Sequence, residues 1–471
     1  MLPHPTRLRY ALSRHDWPLV GLLFLAYLLY LPTTGYAALP FDAGKYWTLA
    51  ERFFQAGHFQ LLAYDDSLRG YLLALLNLPA KAVVHFTSTQ PLAVTRVLGA
   101  ATAALLFGWA GPALWRALVP TAPLSFAARL AFAALGFLFW RDYFNFPLSD
   151  FPALLALVVS LGLVLRPGPA WRLVAAGALL AAAINIRPVY LIAAPALVGL
   201  AAWEAPGAWR RGVVVAALAL GFALISLPQL LMNGRHYQHW SPLVLSRDAR
   251  FPAASLYLSQ LGWGLVIQKY ETTLDPAAAS PRMLYVDPAG QALLREEAIR
   301  HFPSYGAYLR ELVHRPLSFA ALYGRHLFNG LDVQYPSPYI RQVADRPPAL
   351  ALLHYSVWFG ALVGLWQQRR HWLRPRPLLA GAALLAPAFV SIPVAIECRF
   401  LLPLHLLLYA VFCFSFWPNL RPALRWSRRV QLLLVGAYGL FLLGCVTLSA
   451  HTRTHLTADL SVLAPLGGDE Q

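Results

Sequence analysis

Asp42 stands in Leu39-Pro40-Phe41-Asp42-Ala43-Gly44-Lys45-Tyr46-Trp47, just beyond the first long apolar segment, where one carboxylate can meet a lipid headgroup and a polar donor. A carboxylate in that place can take or orient the proton of an attacking hydroxyl. Asp150, in Phe146-Pro147-Leu148-Ser149-Asp150-Phe151, opens another apolar run; it suits the positive end of a helix as well as a reacting group, and the two roles are compatible. Glu397 and Arg399 lie two positions apart in Glu397-Cys398-Arg399-Phe400, and Arg187 sits beside a helix breaker in Asn185-Ile186-Arg187-Pro188. A guanidinium offers a planar set of donors that matches phosphate oxygens, and desolvation beside a bilayer strengthens such a contact. The plainer roles are a snorkelling anchor for Arg187 and an ion pair with Glu397 for Arg399. Lys45 and Arg141 are weaker cations on the same side. Asp65 and Asp66 are adjacent carboxylates that can contribute ligands to a hard cation, although such sites normally draw ligands from several segments.

The elements that must position these groups are membrane helices. The chain has 471 residues, of which 58% are hydrophobic and 13% charged, and its mean hydropathy is +0.52. Even a large soluble domain buries only about three quarters of its unfolded surface, so lipid must solvate the rest. The net charge of +17 comes from basic residues in short connections between apolar segments, a pattern of membrane orientation and not of nucleic-acid binding. Cys398, Cys413 and Cys445, the only cysteines, lie in or beside apolar segments and support neither a disulfide framework nor a thiolate zinc site. Arg7, Arg9 and Arg14 precede the first apolar run without a clean small-residue cleavage motif, which predicts retention as a spanning helix.

Apolar runs near 17–36, 92–113, 124–140, 150–165, 171–186, 188–203, 211–231, 349–366, 377–396, 399–417 and 429–449 predict an all-α polytopic protein of about 11 spans. The connections holding Arg116, Arg166, Arg172, Arg210, Arg211, Arg369, Arg370, Arg374, Arg376, Arg421, Arg425, Arg428 and Arg429 include Glu204 as their only acid. Most other acids fall on the opposite side, including Asp42, Asp65, Asp66, Asp150 and Glu397. That asymmetry places the N-terminus in the cytoplasm and the candidate acids outside. Three regions follow: an N-terminal transmembrane module over 1–231 with a first outer loop near 37–91, an outer region over 232–348, and C-terminal helices with an outer tail over 349–471. The stretch 46–54 reads as an interfacial helix, and 303–313 and 317–328 as amphipathic helices forming a lid or acceptor platform.

These motifs together resemble the GT-C superfamily of bacterial integral-membrane glycosyltransferases, in the group of lipid A aminoarabinose transferases and protein O-mannosyltransferases. The resemblance covers most of the chain and implies a GT-C-like helical fold with periplasmic juxtamembrane helices in the inner membrane. It implies inverting transfer from a polyprenyl-phosphate sugar to a glycolipid, polysaccharide or protein acceptor. Asp42 matches the acid that opens the first outer loop at the catalytic centre, and Asp150 the second-loop acid. Arg69, Arg187, Arg399 and Lys45 would face the donor phosphate, with Glu397 and Tyr64 as further donor contacts. A divalent cation, Mg²⁺ or Mn²⁺, would fall to Asp65 and Asp66. Ala43-Gly44-Lys45 departs from the acidic pair frequent in the group, and Gly70-Tyr71 replaces the usual paired prolines. The chain is expected to act as a monomer on membrane lipid and to bind no nucleic acid. A lipid-linked saccharide flippase and a noncatalytic assembly subunit are the readings of other classes. A flippase should carry polar groups through the bilayer, whereas here the acids gather at one face.

Overall fold

A computed structural model describes residues 17–120, 124–247, 255–296, 302–344, 346–418 and 427–459. Arg7, Arg9 and Arg14, and also Arg421 and Arg425, lie outside the described residues. About 74% of the structure is helix and 5% strand. Among the described residues six helices are long and apolar enough to cross a membrane: Trp17–Thr34, Pro91–Leu118, Ala208–Tyr237, Pro348–Gln367, Cys398–Phe416 and Arg428–Thr454. The most apolar stretches of Ala208–Tyr237 and Arg428–Thr454 are only 22% and 11% buried within the protein. Most of their leucines and valines face outward, so a hydrocarbon solvent and not a protein core must cover them, and the chain is a membrane protein.

Shorter apolar helices, Tyr71–Thr87, Asp150–Val164, Trp171–Ile186, Pro188–Glu204 and Pro375–Ser391, pack among the long ones. Trp171–Ile186 runs along both Asp150–Val164 and Ala208–Tyr237. A Cβ added at Gly177 would lie 2.0 Å from the Leu218 carbonyl oxygen, and one at Gly221 1.8 Å from that of Val174. Small residues there let two backbones approach to contact, which supplies van der Waals packing where no hydrophobic force acts between helices. Gly221→Val should therefore lower the thermal midpoint in detergent, since overpacking costs about 1–3 kcal/mol; an unchanged midpoint would contradict this close crossing.

In place of the single helix expected over 46–54, the first outer segment holds the helix Phe41–Thr48, a 3-10 turn over Leu49–Phe53, a short hairpin pairing Phe54–Gln55 with His58–Phe59, and then the apolar helix Tyr71–Thr87. That last helix contains Asn77, Pro79 and Lys81, which dilute its hydropathy below that of a clear span. The chain is mostly helical, as expected, with a small strand component added. The outer region does contain helices at Tyr305–His314 and Pro316–Leu331, but it also holds a four-stranded sheet in the order Tyr339–Ile340, Ile267–Thr273, Arg282–Val286, Leu456–Thr457. Ile, Tyr and Thr in Ile267–Thr273 and Leu, Tyr and Val in Arg282–Val286 suit pleated strands. The final strand returns from beyond the Arg428–Thr454 helix and pairs antiparallel with Arg282–Val286. The outer region has a core of its own around Leu258, Leu265, Leu284, Tyr308 and Phe319, separate from the main helical core.

Candidate functional site

Asp42 lies in the first turn of the Phe41–Thr48 helix, where the positive end of the peptide dipoles favours an anion. The residue before it, Phe41, has φ +44°, an uncommon backbone region for a bulky side chain and one that collects at functional sites. The turn is held from outside as well: the Ala43 amide donates to the Tyr339 hydroxyl at 3.1 Å. Asp150 begins its own helix but accepts no capping role from Ser149, whose hydroxyl instead meets the Tyr46 hydroxyl at 3.1 Å.

Arg399 joins three carboxylates from separate segments of the chain. Its guanidinium grips Glu397 through Nε at 2.7 Å and Nη2 at 2.9 Å. Nη2 also lies 3.5 Å from Asp42 Oδ2 and Nη1 3.6 Å from Asp150 Oδ2. Arg187 donates to the other Asp150 oxygen and covers the Phe400 ring at 4.9 Å. Arg69 lies over the Tyr46 ring at 5.2 Å. Among the described residues neither Arg69 nor Lys45 forms an ion pair. Asp150 is buried, whereas the Asp42 side chain is 35% exposed and so open to a reactant.

Burial would raise the Asp42 pKa, but Arg399, Arg69 and Lys45 together outweigh it and hold this carboxyl below its ordinary range. At Glu397 the balance goes the other way: burial wins over the attraction of Arg399 and leaves its pKa raised. Two carboxylates of one cluster are thus driven apart in acidity by their surroundings.

Two cavities meet at Asp42. One, of about 860 Å³, is bounded by Asp42, Arg69, Arg187, Glu397 and Arg399 at one end and by apolar residues such as Ile192, Val198 and Val390 along its length. The other, of about 540 Å³, is polar and lined by Lys45, Thr48, Glu51, Arg52 and Asp66. Asp42, Tyr46, Leu68 and Arg69 form the wall common to both.

The Arg69 end of that wall is built by residues whose role the sequence did not disclose. Asn185 Oδ1 accepts the Leu72 amide at 2.9 Å, and the Asn185 amide group donates to Gln229 Oε1 at 2.9 Å. The Tyr71 amide donates to the same Gln229 oxygen at 3.5 Å, so the buried first turn of Tyr71–Thr87 is satisfied from two neighbouring helices. A Cβ at Gly70 would stand 2.1 Å from the Asn185 carbonyl oxygen, so glycine here lets the Arg69 turn seat directly on the junction that carries Arg187. Tyr64 is not on either cavity. It is 1% exposed and donates to the carbonyls of Arg69 and Gly70 at 3.1 and 3.2 Å, supporting the turn from beneath. Arg141 also lies elsewhere, bonded to the Tyr30 hydroxyl at 2.8 Å.

Asp65 and Asp66 do not form the carboxylate pair that a hard cation would need. Asp66 Oδ1 accepts the amides of Leu68 and Arg69 at 2.9 and 2.6 Å, while Oδ2 faces Arg52 at 3.3 Å. Asp65 is paired with the same Arg52 at 3.0 Å. A guanidinium already occupies the position a cation would take, so these two residues do not fit Mg²⁺ or Mn²⁺. Among the described residues no group of three or more His, Cys, Asp or Glu side chains is arranged to hold a metal ion. Asp66→Ala should lower the thermal midpoint in detergent by loosening the Arg69 turn, at a cost near the ~1 kcal/mol of a lost cap. Asp66→Asn, which keeps the accepting oxygen, should lower it less, and added MgCl₂ should move wild type and both variants alike; a selective Mg²⁺ stabilisation of wild type would contradict this.

The arrangement can do two things chemically: compensate charge on a phosphate with Arg187, Arg399 and Arg69, and present an ionised carboxylate beside it. Comparison with known protein families, curated proteins and solved structures finds no match to this chain.

Proposed function

We propose that the chain is an inverting glycosyltransferase that moves a sugar from a polyprenyl-phosphate donor to a cell-envelope acceptor at the periplasmic face of the bacterial inner membrane. On this reading it has a GT-C-like arrangement of about 11 spans, the shorter apolar helices tilting or thinning the bilayer, with a cytoplasmic N-terminus. The observation that carries the proposal is Asp42 on the wall shared by two cavities, with Arg187, Glu397 and Arg399 lining the apolar one and the buried Asp150 paired to both arginines behind them.

The donor's lipid enters the apolar cavity and its phosphate approaches Arg187 and Arg399, exchanging part of their carboxylate contacts for phosphate oxygens. The acceptor hydroxyl enters from the polar side beside Asp42. Its oxygen attacks the anomeric carbon as the bond from that carbon to the phosphate oxygen breaks. The electron pair stays on the phosphate, where the arginines compensate it, and the acceptor proton passes to Asp42. Because the Asp42 pKa is low, it is a weak base that takes the proton late, when the attacking oxygen has already become acidic. A single displacement inverts the anomeric centre, and no step is routed through a metal ion.

The test is reconstitution of the purified protein with a panel of polyprenyl-phosphate sugars and candidate glycolipid, polysaccharide and peptide acceptors, reading product and its anomeric configuration. Inverted product supports the proposal; absence of product across a panel on which a related transferase is active, or retention of configuration, contradicts it. The acidities set a pH signature. Glu397 must be ionised to hold Arg399, and its raised pKa means that it protonates first as pH falls. Transfer should therefore decline on an acid limb above the ordinary glutamate range, while Asp42 stays ionised. Glu397→Gln should be slower and lack that limb; an unshifted limb in this variant would assign it to another group.

A further inference from the structure

Next to the Glu397–Arg399 turn lies a buried ion cluster whose members line neither cavity and which the reaction does not touch. Lys269, in the Ile267–Thr273 strand, places Nζ 3.0 Å from Glu271 Oε1, 3.8 Å from Asp332 Oδ2 and 3.2 Å from the Asp332 carbonyl oxygen. The Lys269 and Asp332 side chains are 3% and 2% exposed. Burial would lower the Lys269 pKa, but Glu271 and Asp332 more than offset that and leave it raised. Every polar atom of the cluster is spoken for: Tyr355 donates to Asp332 Oδ1 at 2.5 Å, Ser449 to Oδ2 at 2.9 Å, and Tyr285 to Glu271 at 2.8 Å.

This cluster is fastened to the site by short links. The same Asp332 carbonyl that accepts from Lys269 lies 3.4 Å from the Cys398 thiol, and the Asn329 carbonyl lies 3.6 Å from it. The amide of Tyr270, next to Lys269, donates to the Ile396 carbonyl at 2.9 Å. Residues 396 and 398 are thus held by the outer sheet and by the end of the Pro316–Leu331 helix, while Glu397 and Arg399 line the apolar cavity. A buried charged cluster is an expensive way to gain stability, because replacing such a group with apolar residues is frequently neutral or better. Fixing one geometry is the role left for it.

We infer that Lys269 and Asp332 are positioning residues, which hold the Glu397–Arg399 turn where one guanidinium can reach Asp42, Asp150 and the donor phosphate. The inference rests on the transferase reading for its effect on turnover, but not for its effect on the turn itself. Cys398 separates the two, because its reactivity reports the turn whatever the protein does. The variant is Lys269→Met with Glu271→Gln, which removes one positive and one negative charge together and leaves the buried net charge as it was. It is compared with wild type in full-length protein in lipid nanodiscs, with Cys413 and Cys445 replaced by Ala.

N-ethylmaleimide should label Cys398 about 10-fold faster in the double variant, as local opening becomes easier. Its kcat should fall on the order of 100-fold with KM for the donor little changed, the mark of a misplaced group and not of lost binding. Tyr355→Phe, which deletes only one hydrogen bond to Asp332, should move both readouts in the same direction by less, and decides the matter if the double variant does not fold. Unchanged labelling, or faster labelling with unchanged kcat, overturns the positioning role. Faster labelling in a protein whose wild type neither binds a polyprenyl monophosphate nor forms product upholds the link to the turn and overturns the transferase reading.

Discussion

Asp42→Asn is expected to reduce sugar transfer about 1,000-fold, within the range that a positioned proton acceptor contributes. The substitution keeps the shape of the side chain and an oxygen that Arg399 can still reach, but the amide cannot take a proton from the acceptor. Donor binding should persist, because Arg187, Arg69 and Arg399 remain, and the loss should fall on kcat and not on KM. Single-turnover transfer with donor prebound is the measurement. A variant that transfers at a rate near wild type would move the proton-accepting role to Asp150, which is less open: its side chain is 2% exposed and already engaged by Arg187 and Arg399.

Arg399 should be the most sensitive position for both stability and chemistry. Arg399→Ala takes from Glu397 its bidentate partner and leaves Asp150 with Arg187 alone, and loss of one member of a buried charge set costs about 3–5 kcal/mol. The folded fraction therefore has to be measured beside activity, by thermal unfolding in detergent. Arg399→Lys is the more informative change. An ammonium keeps the charge but cannot place three nitrogens toward Glu397, Asp42 and Asp150 at once. Transfer should drop about 100-fold, as when one preorganised donor to developing charge is lost, while the protein stays folded. Equal activity of the Lys variant would mean that only the charge matters and that the forked geometry at 2.7, 2.9, 3.5 and 3.6 Å is incidental.

The parts of the site legible in the sequence were those that stood out against an apolar background. Asp42, Asp150, Arg187, Glu397 and Arg399 each interrupt or flank a hydrophobic run, and a charge at a bilayer boundary demands a partner. The Arg399–Glu397 pair, two positions apart, was legible; what the sequence could not supply was that the same guanidinium reaches Asp42 and Asp150, because those contacts join positions more than 200 residues apart. Asp65 and Asp66 show the limit. As adjacent acids they suited a cation, but Arg52 and the backbone amides of Leu68 and Arg69 claim their oxygens. Tyr64 shows another: an aromatic beside a loop is equally suited to a cavity and to the support beneath it, and its stacking on Phe53 at 5.0 Å belongs to the second.

The long apolar runs were legible for the same reason that hydropathy works, since a helix in hydrocarbon must be apolar over its length. The sheet of the outer region was not. Two of its four strands are only two residues long, and one of these is contributed from beyond the last long helix, so no local pattern announces the pairing. The helix Tyr71–Thr87 was hidden by its own polar residues, of which Asn77 is buried and Lys81 pairs with Glu51.

The most direct test of the central claim is a stoichiometric one. Purified wild-type protein and a folded Asp42→Asn variant are placed in vesicles with a polyprenyl-phosphate sugar and its acceptor, and the sugar transferred and the polyprenyl phosphate released are counted together. The account predicts one polyprenyl phosphate released for each sugar transferred with inverted configuration by wild type, and neither product from the variant. Donor bound by both proteins without release of polyprenyl phosphate, or movement of intact donor across the vesicle membrane, would contradict it.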